Sequence, residues 1–216
     1  MKDIRVLLID DHEMVRKGLI YFLESQEGFT VVGEADDGIE GVRLTSELLP
    51  DVVLVDLLMP GMDGLETIKL IKLKHPEIEL IAVTSFIDDQ KVHTALKNGA
   101  SGYMMKDSNP AELARAIRAA VRGEVYLHPE ATRRLAFGLR QDSEDAISPE
   151  VLTERELDVM RLIARGLSNQ NIADDLFISL KTVKGHVSNI LRKLNLQSRV
   201  QIALYALNNK IIPFEN

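Results

Sequence analysis

Val6-Leu7-Leu8-Ile9-Asp10-Asp11, Val52-Val53-Leu54-Val55-Asp56 and Tyr103-Met104-Met105-Lys106 are three apolar runs of strand length, each closed by charge. Runs this short and this continuous predict strands buried on both faces, the situation of a parallel sheet covered by helices. Their charged ends then meet at the carboxyl edge of the sheet, where open α/β sheets bind ligands. Three carboxylates and an ammonium gathered there suit Mg2+ together with a phosphoryl group, because this hard cation takes oxygen ligands and keeps positions open for phosphate.

Working outward, the periodicity alternates as far as about Arg122. Strands are predicted at Arg5 to Ile9, Thr30 to Glu34, Val52 to Val55, Leu80 to Val83 and Gly102 to Met105. Between and after them lie amphipathic stretches at Glu13 to Ser25, Ile39 to Glu47, Gly64 to Lys74, Asp89 to Lys97 and Pro110 to Val121, the last opened by a proline suited to a first helical turn. Five βα units joined by right-handed crossovers imply a doubly wound, flavodoxin-like α/β domain over residues 1–122.

Residues 123–150 read differently. A short helix is predicted at Pro129 to Gly138, followed by the polar, acidic, proline-terminated stretch Gln141 to Pro149, a linker by composition. Asp142, Glu144 and Asp145 in that linker either keep it solvated, the simpler reading, or restrain a basic neighbour. From 151 to 216 the pattern is purely helical, with helices at Thr153 to Arg165, Asn169 to Leu176, Leu180 to Leu194 and Arg199 to Asn208. Thr153 followed by Glu156 is a capping-box signature, and Gly166 suits a helix stop.

Composition narrows the chemistry. The 216 residues include no cysteine, which removes disulfides, thiolate metal sites and a thiol nucleophile. A 45% hydrophobic share supports packed cores, and no leader or membrane span is read near the first residues, so a cytoplasmic location is expected. The net charge of −7 is unevenly spread: −9 over residues 1–149 and +2 over 150–216. Ser179 to Arg199 carries Lys181, Lys184, Arg192, Lys193 and Arg199 with no acidic residue, so one half looks anionic and the other cationic in its task.

Asp10, Asp11, Asp56, Thr84 and Lys106, in this order at strand ends, with the turn Met59-Pro60-Gly61-Met62-Asp63-Gly64, resemble the receiver domain of two-component response regulators. The resemblance implies that Asp56 is the phosphoacceptor, that Asp10 and Asp11 with Asp56 hold Mg2+, that Thr84 receives a phosphoryl oxygen, and that Lys106 pairs with the phosphate. Tyr103 matches the family's switch aromatic, although a half-buried strand aromatic needs no such role. The chemistry is consistent on its own terms: a carboxylate is a competent nucleophile for an acyl phosphate, and a cation and ammonium neutralise the incoming charge. His12 reads as a helix-entry residue and His186 as a structural one.

Leu152 to Glu156, Ser168 to Ala173 and Lys181 to Leu191 resemble the LuxR-type helix-turn-helix of the NarL/FixJ group. In the third helix Val183, Val187, Ile190, Leu191 and Leu194 share a packing face, and Lys181, Lys184, Gly185, Ser188 and Arg192 share another. The resemblance implies that this helix enters the major groove with Lys181, Thr182, Lys184, Gly185, Ser188 and Arg192 on DNA. Lys184 is suited to guanine and Lys181 and Arg192 to phosphates. It further implies dimerisation through Val200, Leu204 and Leu207 of the last helix, with a sensor histidine kinase, double-stranded DNA and RNA polymerase as partners. Val83 to Asp89 is similar to the LiaR/VraR-like subgroup, regulators of cell-envelope stress in Gram-positive bacteria.

The expectation is therefore a phosphorylation-activated transcription regulator rather than an enzyme. Two rivals share parts of the pattern. A Mg-dependent phosphohydrolase would want a second carboxylate two positions after the first, where Asp10-Asp11-His12 has histidine. A receiver-linked RNA-binding antiterminator would want aromatic stacking residues on the basic face, which carries none.

Overall fold

The computed structural model describes residues 3–85, 88–124, 126–127, 151–209 and 211. The expected helix at Pro129 to Gly138 and the acidic stretch with Asp142, Glu144 and Asp145 lie outside them.

The first half is a parallel sheet of six strands: β1 (Ile4–Ile9), β2 (Phe29–Ala35), β3 (Val52–Asp56), β4 (Glu79–Thr84), β5 (Gly102–Met105) and β6 (Tyr126–Leu127). Their spatial order is β2-β1-β3-β4-β5-β6, with every neighbouring pair parallel. The order reverses between β1 and β3, which opens a crevice at their carboxyl ends. Connecting the strands are α1 (Glu13–Glu24), α2 (Gly38–Leu48), α3 (Gly64–Lys74), α4 (Asp89–Lys97) and α5 (Pro110–Val121).

Alternation along each strand builds two cores. Leu7, Ile9, Val53, Val55, Leu80, Ala82 and Tyr103 join one apolar cluster, while Val6, Leu8, Val52, Leu54, Ile81, Val83 and Met104 join the other. These strands are buried on both sides, which is why the sequence shows continuous apolar runs instead of a polar alternation. Helix starts are fixed by the caps the sequence offers: Asp37, Asp63, Asp88 and Asn109 each accept a backbone N–H of the following first turn.

The sheet continues past β5. Gly102 pairs with Tyr126 and Tyr103 with Leu127, so a sixth strand lies inside residues 123–150, past the end of the expected five βα units. Two residues are too few to show a period, and only the edge of β5 makes them a strand.

The second half is helical: α6 (Glu154–Ala164), α7 (Asn169–Asp175), α8 (Leu180–Lys193) and α9 (Arg199–Asn208). Val159, Met160, Ile163, Ile172, Val183, Ile190, Leu194 and Ile202 form its buried core, with Val187 and Leu191 packed partly against it. The capping box is complete at Thr153 and Glu156.

The two halves touch. Gln201 on α9 donates to the carbonyl oxygens of Leu96 and Lys97 at the end of α4, at 2.5 and 2.8 Å, where helix carbonyls lack a following turn. Asn169 N–H donates to the Arg122 carbonyl at 3.1 Å, across Gly123. Gly123 has φ +68°, and a Cβ there would lie 2.3 Å from Asn169 Nδ2, so both conformation and close approach require glycine.

Candidate functional site

β1, β3 and β5 deliver their charged ends to the crevice, and adjacent β4 ends in the buried Thr84. The turn after β3 is pinned by packing: a Cβ on Gly64 would fall 2.0 Å from the Asp56 carbonyl oxygen, so α3 starts directly against the strand that ends in Asp56. Asp56 and Asp10 are almost wholly buried. Lys106 bridges them, with Nζ 2.7 Å from Asp56 Oδ2 and 2.8 Å from Asp10 Oδ2. Asp56 Oδ1 accepts the Leu58 N–H at 3.0 Å.

The electrostatics follow from that burial. Desolvation raises the Asp56 carboxyl above its ordinary pKa, with the Asp10 charge adding to it. The Lys106 hydrogen bond and charge and the Leu58 N–H offset this only in part. For Lys106, burial works against the charged form, yet its hydrogen bonds to Asp10 and Asp56 outweigh it and hold the ammonium above the ordinary lysine value. The pocket thus keeps one fixed positive charge beside a carboxylate that is costly to leave unneutralised.

The cluster suits a small oxophilic cation. Asp10, Asp11, His12 and Asp56 each offer a ligand atom, all within 4.8 Å of one another. Asp11 Oδ1 is shielded from solvent and accepts no hydrogen bond, the kind of orphaned acceptor a cation satisfies. Asp10, Asp11 and Asp56 fit Mg2+ in donor type and charge. Sequence reasoning passed over His12 because a residue at a helix start has an ordinary explanation. The structure shows no side-chain capping bond there, and instead sets His12 Nδ1 2.7 Å from Asp11 Oδ1.

Tyr103 is fully buried, not half-buried, and belongs to the apolar cluster that also contains Val92, Ala95 and Leu96 of α4. Thr84, one residue past the Asp56–Val83 pairing, accepts the Lys106 backbone N–H through its own carbonyl at 2.8 Å.

On the second half, Lys181, Thr182, Lys184, Gly185, Ser188 and Arg192 are all exposed along α8. Thr182 is held at the helix start, its N–H donating to the Ser179 hydroxyl at 3.0 Å. Nothing lies within 4 Å of a Cβ placed on Gly185, so packing does not require glycine there. Two cations of the stretch turn inward. Lys193 pairs with the buried Glu156 at 2.7 Å, and Arg199 is buried, donating to Asn169 Oδ1 at 2.7 Å and to the Leu167 carbonyl. Burial pulls the Arg199 guanidinium down to about 10, against the opposing charges of Glu79 and Glu124. The outward face is therefore less basic than its composition suggests.

Val200, Leu204 and Leu207 do not present one free face. Val200 is buried in the cluster of the first half, and Leu204 packs against the same cluster. Leu207 is partly exposed.

Residues 6–118 match the response regulator receiver domain family, and residues 150–206 match the luxR family of bacterial regulatory proteins. The chain is 51% identical over 209 residues to the transcriptional regulatory protein LiaR of Bacillus subtilis, covering 97% of this chain and 99% of LiaR. It is 43% identical, with the same coverage of each chain, to the response regulator protein VraR of Staphylococcus aureus. Among solved structures, the response regulator ChrA of a heme-sensing two-component system aligns over 98% of this chain and 100% of its own, with 32% identity and a TM-score of 0.53. The Salmonella typhimurium RcsB response regulator aligns over 95% and 98%, with 28% identity and a TM-score of 0.59.

Proposed function

Because this chain belongs to the two-component response regulators, with a receiver domain and a LuxR-type DNA-binding domain, we propose that Asp56 is the phosphoacceptor through which it controls transcription. The observation that carries this is the convergence of Asp10, Asp56 and Lys106 within 2.8 Å contacts at the end of β3, with Asp11 and Thr84 at the adjacent strand ends. One Asp56 carboxylate oxygen attacks phosphorus on the phosphohistidine of a sensor kinase. An O–P bond forms as the N–P bond breaks, and the histidine is the leaving group. Lys106 neutralises the charge that arrives, and in this reading the Thr84 hydroxyl donates to a phosphoryl oxygen. Asp10, Asp11 and Asp56 would hold Mg2+, which supplies further charge neutralisation when bound.

The proposed division is a receiver over 1–122, a connecting segment over 123–150 that lends β6 to the sheet, and the DNA-binding domain over 151–216. Lys184 is the proposed base-reading residue, with Lys181, Thr182, Gly185, Ser188 and Arg192 along the same face. The active form is a homodimer through α9, acting with RNA polymerase in the cytoplasm. In the arrangement described above α9 is docked on α4, so the coupling we propose runs from Thr84 and Tyr103 through α4 to release of α9. Incubation with acetyl phosphate and Mg2+ is expected to add one phosphoryl group to the intact chain and none to Asp56→Asn. An adduct retained by that variant would overturn the assignment.

A further inference from the structure

Among the described residues, His12 is the one nitrogen donor in the cluster of potential cation ligands at the carboxyl edge of the sheet. Its Nδ1 lies 2.7 Å from Asp11 Oδ1, 3.5 Å from Asp10 Oδ1 and 3.8 Å from Asp56 Oδ2. In an octahedral shell with bonds of about 2.1 Å, neighbouring donors are separated by about 3.0 Å and opposite donors by about 4.2 Å. The three distances fall in or just beneath that span, so the imidazole occupies the place of a ligand among the carboxylates.

Two further observations give it that task. The ring does nothing for the helix it precedes, since the His12 side chain makes no capping bond and it is the backbone N–H that donates to Asp10 Oδ1, at 2.8 Å. Asp11 Oδ1, the atom that Nδ1 faces, is sealed from solvent, and the close pair lacks hydrogen-bond geometry. Two electron-pair donors held together without a hydrogen bond between them are what a shared cation would join.

We infer that His12 Nδ1 is a ligand of the divalent cation in this pocket, and that it biases the pocket toward first-row transition ions, Mn2+ included, over Mg2+. Imidazole nitrogen suits first-row transition ions, with Mn2+ the weakest of the series, whereas Mg2+ takes oxygen ligands and keeps its waters. The inference rests on the reading of Asp10, Asp11 and Asp56 as the cation pocket, and extends it from three carboxylates to a mixed nitrogen and oxygen set.

The test uses the untagged full-length protein, so that no added histidine competes. Mn2+ binding is followed by loss of the free-ion electron paramagnetic resonance signal, Mg2+ binding by competition, and nitrogen coordination by the 14N modulation of the bound Mn2+ echo. Wild type is expected to show nitrogen modulation that disappears in both His12→Ala and His12→Asn. The Mn2+ dissociation constant should rise about tenfold in His12→Ala, the scale on which a lost ligand interaction is felt, while that for Mg2+ stays within about twofold. Mn2+ bound to wild type without nitrogen modulation, or modulation that survives both substitutions, would overturn the assignment of His12 while leaving the carboxylate pocket intact. Absence of cation binding in wild type, or binding unchanged in Asp11→Asn, would overturn the pocket itself and the inference with it.

Discussion

Glu156 shows how one side chain can be legible in part. Its spacing from Thr153 announces the capping box, and the structure has both reciprocal bonds. The same carboxylate also holds Lys193 at 2.7 Å, a contact 37 residues away that no local pattern encodes. From the sequence Lys193 reads as an ordinary solvated lysine in a basic stretch. Burial alone would raise the Glu156 pKa, but the Lys193 and Thr153 hydrogen bonds prevail and hold it below the ordinary carboxylate value. A lowered folded pKa favours the folded state when the group is ionised. That stabilisation is fully present above the ordinary glutamate range and is lost as pH falls through the lowered folded value. Glu156→Gln is expected to cost about 1 to 3 kcal/mol, as for a charged hydrogen-bonded pair with a cap. Amide exchange in α6 and α8 of the full chain reports it. Equal protection in the variant would reduce the pair to a surface contact, and the difference from wild type should shrink in acid.

At the scale of elements, the five strand and helix pairs of the first half were legible because the central strands are apolar on both faces and four of the five helices begin at a side chain that caps them. β6 was not, since Tyr126–Leu127 is a strand only through its partner. The helix α8 was readable as an element with a packed face and an exposed face, but a glycine on the exposed face has no local explanation in helix propensity. With nothing within 4 Å of a Cβ at Gly185, Gly185→Ala is expected to stabilise α8 by about 0.5 to 1 kcal/mol. If Gly185 meets DNA as proposed and its missing side chain lets the backbone approach the groove, affinity for specific duplex should nevertheless fall about fivefold to tenfold, equivalent to roughly 1 to 1.4 kcal/mol. Thermal melting and fluorescence anisotropy separate the two effects. A more stable variant with unchanged affinity would place Gly185 away from DNA.

Across the whole molecule, charge segregation and the helical second half pointed to two units with different tasks, but not to how they meet. Their contact uses groups with ordinary local explanations: helix-end carbonyls, a glutamine, a glycine and an asparagine. Intramolecular packing also explains why Val200 and Leu204, an apolar face expected at a dimer interface, are covered within the chain. Gln201→Ala removes two hydrogen bonds to α4, each worth about 0.5 to 1.5 kcal/mol net. Basal DNA binding of the unphosphorylated protein should rise several-fold, and unchanged basal binding would mean that this contact does not restrain the domain.

The central claim is that phosphorylation of Asp56 parts α9 from α4. The absence of native cysteine permits clean spin labelling at Lys69→Cys on α3 and Glu154→Cys on α6, both exposed. Pulsed electron resonance on labelled protein diluted with unlabelled chain then measures this intramolecular distance before and after acetyl phosphate. The expected result is one compact distance population that gives way to a longer, broader one, with no change in an Asp56→Asn background. An unchanged distribution in protein shown by intact mass to be fully phosphorylated would contradict the account.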